Sequence, residues 1–349
     1  MNSMKIKKII SKHETVLLVA ILLIGGIIGI FNRAFLSLAT AFEILRGSVP
    51  YALMGLGVLP VLLLGEVDIS FVGIAAVTSL VSHTLLRSWG YAGGLSAYVG
   101  LAIPMGAVLA VIVGLISGYV KLPVFAVSLG FWLMLYGFNL FFISPEMRFD
   151  LPSGLVGFYG EFLFRIRDPV VGETGLHIGV IYVLLCAVLI WAFLRYTVYG
   201  RGFYIAGGNR EVALRTGYNI ITLLCVAMAI NGSLAAFAGV LQCAYKRFFD
   251  PILFRGTELF VIAANVIGGV SITGGRGSVI SVLLGVIFIQ LVTRGLIYLG
   301  VAPTWQQLTV GIMLTVFFVI TGLRGKVYHE LIRKLAMGRK GQSQNEKTR

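Results

Sequence analysis

The 349-residue chain is strongly apolar, with 58% hydrophobic residues, 12% charged residues and a mean hydropathy of +0.95. Soluble domains carry about 25% charged residues, so this composition excludes a soluble globular protein and indicates an integral membrane protein. The formal net charge of +14 comes from basic residues at the chain ends and in short connections, as the positive-inside rule predicts, so no nucleic-acid partner is implied. The three cysteines and four histidines show no metal-ligand spacing, and the sequence predicts no metal site and no cofactor.

Ten apolar segments are long enough, or nearly so, to cross a membrane, which takes about 20 residues of helix. They are predicted at residues 15–32, 44–64, 69–87, 94–119, 123–143, 176–194, 220–244, 257–272, 278–298 and 303–322. The expected fold is an all-α polytopic membrane protein with one transmembrane domain over 15–322. Residues 1–14 would form a short N-terminal segment and 323–349 a basic tail. Prolines inside several segments predict bent or broken helices, some of them short.

Charge counts predict which connections share a side of the membrane. The N-terminal segment, the connection 195–219 and the tail are rich in Lys and Arg, which places them, and both chain termini, in the cytoplasm. The longest connection, 144–175, has five acidic residues against three basic ones, which is typical of the outer face. An even number of spans fits these assignments.

The connection 195–219 contains a polar island, Gly200 to Tyr218. Gly207 and Gly208 precede Asn209, a residue favoured at helix N-caps, and Gly217 has the place of a C-cap. The island is therefore predicted to form a short, capped helix on the cytoplasmic side.

Two faces are expected on this helix. Glu211 and Arg215, at i and i+4, predict an exposed face, while Val212, Ala213 and Thr216 are expected to offer a small, shallow contact surface. On these residues alone, docking to a cytosolic partner and a merely solvated connector are equally supported.

The motif GEVDIS, at residues 65–70, enters the third segment. Asp68 is interpreted first as an N-cap for a helix starting near Ser70, with Glu66 and Asp68 favoured by the helix dipole. The alternative makes Glu66 and Asp68 part of an inner gate.

A glycine-rich turn, GGVSITGGRGS, separates the eighth and ninth segments. It lacks the Lys and Ser or Thr of a phosphate loop, and no soluble strand precedes it, so nucleotide binding is not expected. Gly268, Gly269, Gly274 and Gly275 are predicted to let a short eighth span turn tightly and pack against the ninth. Arg276 is expected to hold the turn at the anionic inner leaflet of the lipid membrane.

A path for a neutral polyol needs polar groups and aromatic faces that bind weakly. The candidates within the spans are Phe131, Trp132, Tyr136, Asn139, Asn231, Gln242, Asn265 and Gln290. Each polar side chain among them is equally explained as a hydrogen bond between helices.

Three segments carry a resemblance to a known family: residues 200–220 (GRGFYIAGGNREVALRTGYNI), 249–281 (FDPILFRGTELF and onward through GGVSITGGRGSVIS) and 61–79 (VLLLGEVDISFVGIAAVTS). They resemble permease subunits of ribose- and galactose-type ABC importers, the monosaccharide branch of the branched-chain permease family. The resemblance extends from about residue 14 to residue 325.

The resemblance implies a fold like that of type II ABC importers and a location in the bacterial inner membrane. It makes the island the element that couples to a cytosolic ABC ATPase subunit, with Gly207, Gly208, Asn209, Glu211, Ala213, Arg215 and Gly217 as coupling residues. The other implied partners are a second permease, identical or homologous, and an extracytoplasmic sugar-binding protein. ATP hydrolysis would reside on the ATPase, and this chain would have no catalytic residue.

The sequence leaves two alternatives open. The same machinery could carry a nucleoside or another small metabolite, since the binding protein selects the cargo. An ion-coupled secondary transporter is a different class, but it predicts ionisable partners inside the spans and leaves the capped island unexplained.

Overall fold

The computed structural model describes residues 12–168 and 172–302, together with six positions between 305 and 315. Within these residues, eight helices are long and apolar enough to cross a membrane, and one further apolar helix is shorter. These nine match the first nine predicted segments, which confirms the helical membrane fold. The tenth predicted segment, 303–322, lies largely outside the described residues, as do the tail and most of the N-terminal segment. Contacts between residues divide the chain into two compact units with the boundary after Leu299, and the helices given below belong to the first unit.

The long helices are α1 (Lys12–Phe31), α2 (Leu38–Leu63), α3 (Phe71–Ser88), α4 (Leu95–Val120) and α5 (Val124–Phe138), which continues as a wider π turn to Ile143. A short helix, α6 (Ser153–Gly157), and two strands, β1 (Phe162–Asp168) and β2 (Gly172–His177), come next along the chain. The remaining helices are α7 (Gly179–Tyr196), α8 (Val198–Gly208), α9 (Arg210–Arg215), α10 (Ile220–Lys246), α11 (Glu258–Gly268) and α12 (Val279–Tyr298).

Helix α10 lies at the centre of the bundle, against α2, α3 and α4. Its closest contact is with α4, where a Cβ atom on either Gly106 or Gly232 would overlap the carbonyl oxygen of the other. Small residues thus bring the two backbones into direct contact, as is common between membrane helices. Further along the same seam, a Cβ on Gly114 would lie 3.2 Å from the Met228 side chain.

Helix α11 spans only 11 residues, too few to cross a hydrocarbon core of about 30 Å. The residue after its last turn, Gly269, has a φ of +111°, a backbone conformation that residues other than glycine rarely adopt. A Cβ on Gly268 would overlap the carbonyl oxygen of Ser281 in α12. The predicted tight turn, with the short helix packed on the next one, is therefore confirmed.

The connections between helices gather at two ends of the bundle. The end that carries residues 197–219, which we call the coupling end, also holds residues 64–70, 121–123 and 269–278. The start of α1 belongs there too, since the ring Nε2 of His13 lies 2.9 Å from the Ile267 carbonyl oxygen. The opposite, distal end holds the connections after α1, α3, α5 and α10. This is the alternation that the charge counts predict, whereas the side of the membrane stays a prediction.

The long distal connection contains structure that the sequence did not predict. Strands β1 and β2 form an antiparallel ribbon, in which Arg165 pairs with Gly175. Buried His177 secures its end, with the ring Nε2 2.9 Å from the Phe158 carbonyl oxygen, while its Nδ1 accepts the Gly179 N–H at 2.9 Å. The ribbon is thereby fixed to the start of α7.

Candidate functional site: the coupling junction

Residues 210–215 of the polar island fold as predicted into a short helix, α9, with a cap at each end, whereas residues 200–208 belong to α8, which the sequence did not predict. Asn209 separates α8 from α9. Its side-chain oxygen accepts hydrogen bonds from the backbone N–H groups of Glu211, at 2.9 Å, and Val212, at 3.1 Å. After α9, Gly217 adopts a φ of +86°, as expected for a glycine that ends a helix. Both ends of α9 are thus defined by local interactions.

The faces of α9 differ in part from the prediction. Glu211 and Arg215 are exposed, with 72% and 77% of their side chains accessible, and they form an ion pair at 2.6 Å. Ala213 is fully buried, so its predicted place in the contact surface is wrong. The exposed apolar side chains are Val212 and Leu214. Sequence reasoning missed Leu214, because a helix of six residues is too short for its hydrophobic pattern to define a face.

Three glycine-containing segments meet where α8 ends. A Cβ on Gly207 would overlap the carbonyl oxygen of Leu63 and would lie 2.6 Å from the backbone nitrogen of Gly275. Gly275 donates its N–H to that same Leu63 oxygen at 2.9 Å. A Cβ on Gly274 would come within 2.8 Å of both Gly207 Cα and Gly65 N. Residues 63–65, 207–208 and 274–275 therefore touch backbone to backbone, and we call this contact the coupling junction.

Other contacts of α8 hold the junction in place. The Tyr204 hydroxyl donates to the Gly277 carbonyl oxygen at 3.0 Å, and burial raises the pKa of this phenol, which keeps the donor protonated. Gly208, by contrast, has open space where a Cβ would lie. Arg276 is exposed beside the junction, and its expected contact with lipid stays a prediction.

Beyond the junction, the connection between α2 and α3 turns into the bundle. Asp68 is fully buried, and its Oδ1 accepts the backbone N–H of Ser70 at 2.8 Å and its hydroxyl at 2.7 Å. Its Oδ2 accepts the Asn231 amide N–H at 2.7 Å. The predicted N-cap role is wrong: α3 begins at Phe71 with Ser70 as the cap residue, and Asp68 binds that cap residue and α10 instead.

Glu66, two residues before Asp68, lines a cavity of about 890 Å³ at the coupling end. The cavity lies between the end of α4, the start of α5 and the stretch that runs from α9 to the start of α10, and its lining includes Lys121, Arg210, Leu214 and Ile221. Leu214 of α9 therefore belongs both to an exposed helix face and to the edge of this cavity.

The candidates for a substrate path make contacts in several parts of the bundle, and none of the eight lines the cavity at the coupling end. Tyr136 and Asn139 hold the distal connection 247–257, donating to the carbonyl oxygens of Leu253 at 2.7 Å and Pro251 at 2.9 Å. Trp132 packs edge-on against Tyr136, with ring centroids 5.6 Å apart. Phe131 on α5 and Gln242 on α10 are half-buried.

The last polar candidates also lie at helix contacts. Asn265 donates to the Val261 carbonyl oxygen of its own helix at 3.0 Å, while Gln290 faces Gly47 beside Arg294. Asn231 binds Asp68. A role in the path stays a prediction for all eight candidates. Among the described residues, no group of three or more His, Cys, Asp or Glu side chains is arranged to hold a metal ion.

Comparison with known proteins identifies the family. The sequence model described as "Branched-chain amino acid transport system / permease component" matches residues 40–318. The chain belongs to this family, and it is therefore a permease component of a transport system. No solved structure matches the chain.

Several curated relatives match over nearly their whole length. The galactose/methyl galactoside import permease protein MglC of Haemophilus influenzae is 31% identical over 328 residues, which cover 90% of this chain and 95% of the relative. The autoinducer 2 import system permease protein LsrC of Photorhabdus luminescens is 25% identical, over 91% of this chain and 92% of its own. The fructose import permease protein FrcC of Rhizobium meliloti is 28% identical, with coverages of 87% and 83%.

Proposed function

We propose that the chain is the membrane-spanning subunit of an ATP-binding-cassette importer in the bacterial inner membrane, and that it carries a monosaccharide or a similar small neutral polyol. Family membership and the import permeases among its relatives support this proposal. The observation that carries it is the coupling junction, because the junction joins an exposed capped helix to the backbone of α2 and to the turn before α12.

The coupling end faces the cytoplasm, where α9 docks on an ABC ATPase subunit that hydrolyses ATP. Val212 and Leu214, 46% and 56% exposed, are apolar side chains on an otherwise polar segment, as expected of a surface that a partner covers. This chain binds no nucleotide and catalyses no reaction. A second permease, identical or homologous, completes the membrane part, and an extracytoplasmic sugar-binding protein delivers the cargo to the distal end.

The mechanical step follows from close packing. When the ATPase subunits close on ATP, they displace α9, and with it the end of α8. Backbone-to-backbone contact leaves no flexible side chain to absorb this displacement, so Leu63 and Gly275 move with Gly207. Helix α2 and the turn before α12 then shift as units, which fits the rocking movements of transporters.

Purification of the permease with its native partners tests both the identity of these partners and the identity of the cargo. We expect an ATPase chain to copurify, and we expect the binding protein of the system to show an increased thermal unfolding temperature with a pentose or hexose. A shift with nucleosides alone would replace the sugar by a nucleoside as the cargo. Recovery of the permease without any ATPase would contradict the proposal.

Leu214→Asp is expected to weaken ATPase capture about tenfold or more, because a carboxylate replaces an apolar contact at a covered interface, where single anchor residues contribute over 1 kcal/mol. Pull-down of the purified ATPase on immobilised permease measures this. Leu163→Asp is the matched control, since Leu163 is also exposed but lies in β1 at the distal end. Equal capture by both variants would rule out docking through this face of α9.

A further inference from the structure

Asp68 is a buried polar residue three positions after Gly65 of the coupling junction, and one of its partners, Asn231, lies deep in the bundle. Asn231 is three turns into α10, about 17 Å from the coupling end of that helix at 1.5 Å per residue. The Asp68 carboxyl is fully buried, and among the described residues no basic side chain lies within salt-bridge distance of it. A carboxyl in such a place is costly to bury and marks a functional position by default.

The connection from the junction to Asp68 is short. Gly65 is part of the junction, and three residue steps separate it from Asp68, so the two Cα atoms are at most about 11 Å apart. The far end of the connection is held twice: Asp68 accepts the Asn231 amide at 2.7 Å, and the Ile69 N–H donates to the Ser128 hydroxyl at 3.2 Å. A displacement of Gly65 therefore strains the link to α10 and the link to α5.

Packing around Asn231 makes this link stiff. A Cβ on Gly57 of α2 would lie 3.0 Å from the Asn231 side-chain oxygen and 3.2 Å from its Cα. Asn231 is fully buried, so its amide has no room to follow the carboxyl by swinging into solvent. Any displacement of Asp68 acts on the backbone of α10 itself.

We propose that the Asp68–Asn231 hydrogen bond transmits movement of the coupling junction to the middle of α10, so that Asp68 is a positioning residue that links ATP hydrolysis to cargo movement. This inference rests on the proposed function. It assigns the GEVDIS segment a transmitting role: Gly65, which contacts the turn at Thr273 and Gly274, moves with the coupling junction, and Asp68 moves α10.

The test compares cargo moved with ATP hydrolysed in the complete complex of permease, ATPase and binding protein, reconstituted in proteoliposomes. In Asn231→Ala the amide donor is lost, and we expect the amount of sugar taken up per ATP to fall about tenfold, the factor that corresponds to one hydrogen bond to a charged group. ATPase activity and ATPase capture should stay close to those of the unsubstituted complex. A purely structural role would lower the amount of folded complex without changing the ratio.

Two further variants separate the hydrogen bond from other effects. In Asp68→Asn the hydrogen bond can re-form in the opposite direction once the Asn231 amide turns over, because the Asn231 side-chain oxygen has no hydrogen-bond partner among the described residues and can accept from the new amide. We therefore expect a ratio within about twofold of the original. Thr78→Val removes another fully buried polar group, one that donates only within α3, and should leave the ratio unchanged.

Different outcomes test the transmitting role of Asp68 and the proposed function of the chain. An unchanged ratio in Asn231→Ala would overturn the transmitting role, and so would an equal loss in Thr78→Val or in Asp68→Asn. Absence of ATP-driven uptake by the unsubstituted complex would instead contradict the proposed function.

Discussion

Gly207→Ala is expected to reduce ATP-driven uptake strongly while leaving the permease in the membrane. The added Cβ would overlap the Leu63 carbonyl oxygen and would lie 2.6 Å from the Gly275 nitrogen. Both are backbone atoms, so no side-chain rotation relieves the overlap. The segments of the junction must separate, and overpacking of this kind costs about 1–3 kcal/mol. Uptake of radiolabelled sugar into proteoliposomes measures the effect, and we expect a decrease of about tenfold or more.

The next residue provides the matched control. A Cβ on Gly208 meets nothing within 4 Å, and both glycines belong to α8. Gly208→Ala should therefore keep uptake close to that of the unsubstituted chain. Loss of uptake in both variants would contradict the overlap at Gly207 as the cause, and equal uptake in both would exclude the junction as the transmitting contact.

Gly232→Ala is expected to destabilise the membrane bundle itself. Its Cβ would overlap the Gly106 carbonyl oxygen and would lie 2.5 Å from the Ala110 Cβ, at the closest approach of α10 and α4. Replacing Gly by Ala inside an exposed helix normally gains about 1 kcal/mol. Here the overlap should reverse the sign, with a net loss of about 1–3 kcal/mol. Thermal unfolding of the purified permease in detergent measures the difference as a lower midpoint.

Gly100→Ala is the control for this second prediction. Gly100 is also in α4, but a Cβ on it meets nothing within 4 Å. Its unfolding midpoint should stay the same or rise. A midpoint for Gly232→Ala at or above that of Gly100→Ala would mean that the two helix backbones are not in contact at this crossing.

The features predicted correctly from the sequence are the helical spans and the helix caps, which depend on residues close together along the chain. Hydrophobic segments predicted nine spans with ends within a few residues. The N-cap Asn209 is correct, and Gly217 ends α9 one residue after the cap residue Thr216, because capping involves only neighbours along the chain. Helix α2 begins earlier than predicted, at Leu38, since Ser37 caps it by accepting the Thr40 N–H at 3.1 Å. Ser37 precedes the most apolar part of the segment, so hydropathy alone does not indicate that the helix starts there.

The site itself depends on contacts between residues far apart in sequence. The glycines near 65, 207 and 275 were each identified as notable, yet no pattern in any one segment indicates that the three meet. Asp68 was assigned a local role because the residues after it form a helix start, and its bond to Asn231 joins positions 163 residues apart. The strands of the distal ribbon were missed, because their sequence lacks a regular alternation of apolar and polar residues.

The most direct test of the proposed function is sugar uptake by proteoliposomes that contain the purified permease with its copurified ATPase and binding protein. We predict that uptake requires ATP on the side of the membrane that the coupling end faces, and that it is insensitive to dissipation of proton and sodium gradients. Uptake that continues without ATP and stops when an ion gradient is dissipated would contradict the proposed function and would identify an ion-coupled transporter.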